Sequence, residues 1–249
     1  MKNATDIEKL IKVIKSCPSG ALSYQLEGGE RETIYHDVEK ITIEKNGSIN
    51  ITGGVKVIDD NSSEEILDSK EHYSLCRCGH SKHKPFCDGT HARGVEFNNE
   101  REEEKTRGIK GYNGEKIVVY FDKYICKHAA KCVKGYPEVF NPDKIPWIEM
   151  KNATDIEKLI KVIKSCPSGA LSYQLEGGER ETIYHDVEKI TIEKNGSINI
   201  TGGVKVIDDN SSEEILDSKE HYSLCRCGHS KHKPFCDGTH KHINFNDEE

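Results

Sequence analysis

Residues 1–91 and 150–240 are the same sequence, letter for letter, at a constant offset of 149. No feature constrains the fold more, because whatever these residues build once they must be able to build twice. The tails differ, Ala92-Arg93-Gly94-Val95-Glu96-Phe97 against Lys241-His242-Ile243-Asn244-Phe245, and the stretch between the repeats, roughly 92–149, occurs once. Each repeat closes on one sixteen-residue string, Cys76 to His91 and Cys225 to His240, with three cysteines and a histidine at C-x-C-x8-C-x3-H spacing. That is the arithmetic of metal ligands.

A chain of 249 residues allows one to three domains, and with 34% apolar against 32% charged residues their cores must be small. Modules of this kind usually need a staple, and bound metal supplies one. The net charge of −7, with signs interleaved, argues against nucleic acid, which requires a concentrated basic face. The opening residues lack the apolar stretch of a signal peptide, and no run approaches the ~20 apolar residues of a membrane helix. The expectation is a cytoplasmic, reduced protein without a membrane segment, in which ten cysteines are better explained by metal than by disulfides.

Each repeat opens with Thr5-x-x-Glu8 or Thr154-x-x-Glu157, a capping box, ahead of Ile7, Leu10, Ile11 and Ile14 at helical spacing. The helix should stop near Cys17-Pro18 and Cys166-Pro167. Alternating strands follow, 41–44 and 48–52, joined by the turn signal Lys45-Asn46-Gly47; residues 55–58 suggest another strand, and 59–65 a polar loop. In the unique centre, 98–111 reads as a charged linker and 115–121 as a strand that delivers the chain to Cys126.

In the repeated string, Cys76 and Cys78 can reach one metal centre from a single extended strand. Cys87 and His91 share a face if the chain turns helical after Pro85, with Asp88 placed to accept backbone amides. Cys225, Cys227, Cys236 and His240 repeat the set. Three thiols and an imidazole satisfy a structural zinc site as well as an iron-sulfur cluster. His80 and His83 read as solvated bystanders, and Arg77, Lys82 and Lys84 as members of a solvated loop.

The string resembles the CDGSH iron-sulfur family, also called NEET proteins, at every position of the pattern C-x-C-x2-(S/T)-x3-P-x-C-D-G-(S/A/T)-H. The resemblance implies one [2Fe-2S] cluster on Cys76, Cys78, Cys87 and His91 and a second on Cys225, Cys227, Cys236 and His240. Neutral imidazole in place of a thiolate raises a cluster's potential. It also makes His91 and His240 the sites where proton uptake can couple to reduction or cluster release.

The centre resembles the divergent single-cluster ferredoxin-like domains over about 112–175, through Cys126-Lys127-His128-Ala129-Ala130-Lys131-Cys132 and the later Cys166-Pro167-Ser168-Gly169-Ala170-Leu171. Ala129 stands where a bacterial ferredoxin has its middle cysteine. Three thiolates, Cys126, Cys132 and Cys166, suit a [3Fe-4S] cluster, or a [4Fe-4S] cluster whose fourth iron is held by His128 or a small exogenous ligand. Cys17-Pro18-Ser19-Gly20-Ala21-Leu22 offers the same closing half. Cys132 is 34 positions from Cys166 and 115 from Cys17, so loop closure favours Cys166 by about 1 kcal/mol.

The resulting expectation is an α+β protein of β-rich CDGSH modules and a ferredoxin-like module. Its segments are a duplicated half ferredoxin-like piece at 1–45, CDGSH modules at 46–97 and 195–249, the linker at 98–111 and the ferredoxin-like module at 112–175. The expected function is electron transfer, or storage and delivery of [2Fe-2S] clusters, to redox or cluster-acceptor proteins. The chain would be no enzyme itself, though it could serve an oxidoreductase as subunit or partner. Its CDGSH modules would pair within a monomer or across a homodimer. The competing reading is a zinc-binding adaptor for protein partners.

Overall fold

The two β-rich repeats each lend a strand to the other's sheet. The computed structural model describes residues 4–17, 22–32, 40–60, 72–95, 97, 108–182, 188–208 and 221–248. In chain order the first repeat gives α1 (Ala4–Lys15), β1 (Tyr24–Gln25), β2 (Arg31–Glu32), β3 (Lys40–Ile43), β4 (Ile49–Thr52), β5 (Lys56–Asp59) and β6 (Tyr73–Leu75). The centre gives β7 (Ile109–Asn113), β8 (Ile117–Asp122) and α2 (Lys131–Gly135). The second repeat gives α3 (Ile156–Lys164), β9 (Leu171–Leu175), β10 (Arg180–Glu181), β11 (Lys189–Ile192), β12 (Ile198–Thr201), β13 (Val206–Asp208), β14 (Tyr222–Leu224) and α4 (Thr239–His242).

β3 and β4 form the expected hairpin, Ile41 opposite Ile51, with Asn46 at φ 50° in the turn. β6 extends this sheet antiparallel to β4, while the free edge of β3 takes β13 of the other repeat in parallel, Val206 against Ile41. The exchange is reciprocal, since β5 lies parallel to β11 with Val57 against Ile190. Parallel neighbours cannot be joined by a tight turn, and here a strand from the other repeat fills the place. Ile41, Ile49, Ile51, Val57, Ile190, Ile198, Ile200 and Val206 are all at most 1% exposed in one shared core. Fully burying each such side chain stabilises by about 1.5–3 kcal/mol.

The centre and the start of the second repeat build a four-stranded antiparallel sheet, β10-β9-β8-β7, against which α3 packs. Tyr112, Val119, Phe140, Ile148, Leu159, Ile163, Leu171 and Tyr173 form its core. Tyr124, Ile125 and Ala170 of this unit sit instead in the core of the exchanged sheets, so the two units share packing.

Three expectations need correction. The capping box is not made: in α3 the N-cap is Asp155, whose carboxylate accepts from the Lys158 amide at 2.9 Å, while α1 begins at Ala4 and takes Thr5 inside. Asp155 lies one position nearer the apolar run than Thr154 and reaches the amide three residues on, so it wins the role. Regular structure begins inside the stretch read as a linker, because β7 starts at Ile109; residues 98–107 lie outside the described residues. Asp59 closes β5 rather than opening a loop, and 61–65 also lie outside the described residues.

Identical sequence meets two environments at the helices. In α3, Leu159 and Ile163 are fully buried and Val162 is 8% exposed, whereas in α1 the equivalent Leu10 and Val13 are 59% and 62% exposed. Among the described residues no helix is long and apolar enough to cross a membrane.

Candidate metal centres

Strand β6 runs into Cys76 and Cys78, and the following loop folds back so that the Cys76 amide donates to the Pro85 carbonyl (2.8 Å) and the Cys87 amide to that of Ser74 (2.8 Å). The ligand loop is thereby zipped onto the strand. Asp88 accepts from the amides of Thr90 (2.9 Å) and Lys82 (3.0 Å), which fixes the turn carrying His91; the Thr90 side chain and then the Lys82 amide hold its carboxyl well below the usual range. His91 rides on the short 3-10 turn Thr90–Ala92, and its counterpart His240 on α4.

The four donors stand as two pairs. Cys76 and Cys78 sulfurs are 3.8 Å apart, and Cys87 Sγ lies 3.3 Å from His91 Nδ1; the second copy repeats these distances with Cys225 and Cys227 and with Cys236 and His240. Bonds of about 2.3 Å at tetrahedral angles place two thiolates on one ion about 3.8 Å apart. Each pair is therefore spaced to chelate one metal. In each Cys pair one thiol donates to the other's sulfur, which lowers the pKa of Cys76 and Cys225 and raises that of Cys78 and Cys227.

The two ligand loops meet at the pseudo-two-fold axis. Gly79 (φ 82°) and Gly228 (φ 78°) occupy the left-handed region, and a Cβ on either would stand 2.8 Å from the Cys227 carbonyl oxygen or 2.5 Å from that of Cys78. Glycine is needed there twice over, for backbone conformation and for close approach.

Cys126, Cys132 and Cys166 line one cavity of about 710 Å³, together with Phe121, Trp147 and His128. Burial pushes the Cys126 thiol up to about 12 and the Cys132 thiol up to about 11. Cys132 sits in α2 behind His128 and Ala130, both non-glycine residues in the left-handed region at φ 54° and 59°. Two such residues in one ligand loop are held there by surrounding structure at a cost of about 1–3 kcal/mol each. His128 stands at the solvent-facing rim of the cavity, where partial desolvation by the surrounding atoms, and then the Lys241 charge, lower its pKa. His80 and His83 are exposed, as expected of bystanders.

Sequence reasoning missed the residues that tie this cavity to the second CDGSH module. Lys127 is 2% exposed, and its Nζ donates to Glu193 Oε2 (2.6 Å), Ser197 Oγ (2.8 Å) and Asn199 Oδ1 (2.8 Å). Burial opposes ionisation of Glu193, yet the Lys127 ammonium and the Ser197 donors bring it down to about 2. His221 Nε2 donates to the Cys166 carbonyl at 2.7 Å, Lys241 Nζ to the His128 carbonyl at 2.8 Å, and a Cβ on Gly238 would meet the Lys127 carbonyl at 2.9 Å. Nothing in a lysine or histidine letter signals burial; the one available clue was that Lys127 lies between two ligand-type residues. Arg77 corrects the sequence reading: far from solvated, it is 2% exposed and donates to the carbonyls of Gly47 (3.1 Å) and Glu44 (2.7 Å), clamping the β3–β4 turn.

The cover that Lys127 and its neighbours provide makes the two CDGSH sites unequal. Cys236 and His240 are buried at 3% and 5% exposure, and burial lowers the His240 pKa, whereas Cys87 and His91 are only half-buried.

The comparisons agree with this donor chemistry. The family described as "Iron-binding zinc finger CDGSH type" matches residues 46–92 and 195–241, and "Divergent 4Fe-4S mono-cluster" matches 112–176. The "Uncharacterized protein YjdI" of Escherichia coli K12, and that of Escherichia coli O157:H7, are each 48% identical to the chain over 67 residues, 27% of this chain and 87% of the relative. No solved structure matches the chain significantly. The chain therefore belongs with the CDGSH iron-sulfur proteins, carrying two CDGSH domains that flank a divergent 4Fe-4S mono-cluster domain.

Proposed function

We propose that this chain is an electron carrier with three adjoining cluster sites, two [2Fe-2S] and one central [3Fe-4S] or [4Fe-4S], and that it acts as a redox protein rather than as an enzyme. When bound, the clusters supply one-electron chemistry. The observation that carries the reading is the contiguity of the ligand loops. Cys78-Gly79 abuts Cys227-Gly228, and Lys127, next to Cys126, abuts Gly238, between Cys236 and His240. A store of independent clusters needs no such line. The paired Cys–Cys and Cys–His donors, together with the family matches, support iron-sulfur clusters at these sites.

The chain's own residues set the ends of the line. Lys127, Lys241 and His221 fasten the central site against the second CDGSH loop. His91 and Cys87, half-buried, form the end open to a redox or cluster-acceptor protein. Proton uptake that competes with ligation belongs at the histidine ligands, whose Nδ1 atoms face Cys87 in His91 and Cys236 in His240, and the less buried His91 is the one within reach of solvent. Reciprocal strand exchange within one chain supports a monomer, as it fills the edges that a second copy would otherwise pair.

Stepwise anaerobic reduction followed by paramagnetic resonance tests the line. Adjoining sites give reduced spectra with mutual broadening or splitting, whereas spectra that sum as isolated clusters contradict it. The proton assignment is tested separately: His91→Cys should slow cluster loss at mildly acidic pH severalfold, and an unchanged lifetime would remove His91 from that role.

A further inference from the structure

We infer that segment 108–149 has two equivalent seats in this chain, the occupied one at 150–181 and a second at 1–32, so that Cys17 can stand in for Cys166 at the central site. The Cys17 clause rests on the function proposed above; the exchange of seats does not.

Every side chain that 150–181 presents to 108–149 is present in 1–32. Over its described residues, 4–17 and 22–32, the second seat already holds a helix and a short hairpin, β1 paired with β2. Its apolar face is formed but uncovered: Ile7, Leu10, Val13 and Leu22 are 47–62% exposed, while Leu159, Val162 and Leu171 in the occupied seat are at most 8% exposed. The matching cover is known, because the same residues at 150–181 are covered by the core of 108–149, with Tyr112, Val119, Tyr136 and Phe140 in that cluster. The anchors beyond the helix are duplicated as well, except Lys241, which holds the His128 carbonyl and has Ala92 as its counterpart. Glu193, Ser197 and Asn199, which receive Lys127, recur as Glu44, Ser48 and Asn50, and His221, which holds the Cys166 carbonyl, recurs as His72.

Exchange uncovers one face as it covers the other, so the contact energies nearly cancel and chain connection decides. Separations of 34 and 115 residues from Cys132 give 150–181 an advantage of about sixfold by loop closure. That agrees with the seat found occupied and leaves the other as a minor state. A second copy of the chain is the less favoured occupant, because it would bring one half of its own for each it vacates and add the cost of association.

The test is hydrogen exchange by mass spectrometry on the full chain carrying Leu159→Asp, a substitution that also makes peptides from the two copies distinguishable. The expected result is that α1 amides gain protection while 108–149 keeps most of its own, and that Leu10→Asp added to Leu159→Asp abolishes both. If α1 stays unprotected in Leu159→Asp, the second seat does not exist. If its protection appears only in a concentration-dependent dimer, the occupant is another chain and the same-chain exchange is wrong. A milder variant reads the metal site: Cys166→Ser should keep a central-cluster signal that Cys17→Ser with Cys166→Ser lacks, and loss of the signal in Cys166→Ser alone refutes the role given to Cys17. Absence of a central cluster in the unaltered chain would contradict the function proposed above while leaving the exchange result standing.

Discussion

Lys127 is the residue on which the relation between the central and second CDGSH sites turns, because its buried ammonium finds a carboxylate, a hydroxyl and an amide oxygen within 2.8 Å. Removing one partner of a buried pair leaves the other charged and desolvated, at about 3–5 kcal/mol. Glu193 keeps 29% of its side chain exposed, so Lys127→Met is expected to cost somewhat less, about 2–3 kcal/mol, measured as the shift in denaturant midpoint. The sign of its pH dependence follows from Glu193, whose pKa falls from 4.5 to about 2 on folding. A lowered carboxyl contributes stability that is full above the unfolded value and lost as pH falls through the folded one. The gap between the unaltered chain and Lys127→Met should therefore close between pH 4.5 and 2; a gap that widens there contradicts the assignment. The cysteines run the other way: burial lifts Cys126 and Cys236 to about 12, so loading metal must expel protons, and loading should strengthen as pH rises.

At the scale of elements, α1 and α3 show what a sequence can and cannot declare. Helical spacing made both helices legible, and both end at Lys15 and Lys164 ahead of the Cys-Pro pairs. Whether the apolar stripe is covered was not legible, because coverage depends on a segment that exists once. Leu10→Asp should accordingly change stability by less than about 0.5 kcal/mol, a test by thermal denaturation that a buried α1 would fail. The hairpin at 40–52 was readable from alternation and Asn46-Gly47, whereas the partner of β5 was not, since its edge is satisfied by the other repeat 133 positions away, Val57 against Ile190. The donor pairs were legible because spacing brings i, i+2 and i, i+4 side chains together; Lys127, His221 and Arg77 were not, because nothing local tells a buried cation from a solvated one. The close approach of the ligand loops gives a further check. Gly79→Ala forces a Cβ against the Cys227 carbonyl and should cost about 2–3 kcal/mol, whereas Gly94→Ala, also at positive φ but facing open space, should cost only about 1 kcal/mol.

Across the whole molecule, a repeat identical in sequence becomes unequal in structure because one unique segment covers only one copy. The second CDGSH site is closed by Lys127, Lys241 and the backbone at Gly238, while His91 and Cys87 remain half-buried. Clusters on identical ligands should therefore leave at two rates. Challenge with an iron chelator is expected to bleach the CDGSH absorbance in two phases of equal amplitude, and His91→Cys should slow the fast phase alone; a single phase would mean that the covering segment has no effect. All of this presupposes iron and sulfide in the donor sets. The direct measurement is anaerobic iron and acid-labile sulfide content per chain with paramagnetic resonance of the reduced and oxidised protein. About seven or eight irons with matching sulfide are expected, and stoichiometric zinc without sulfide would contradict the iron-sulfur assignment.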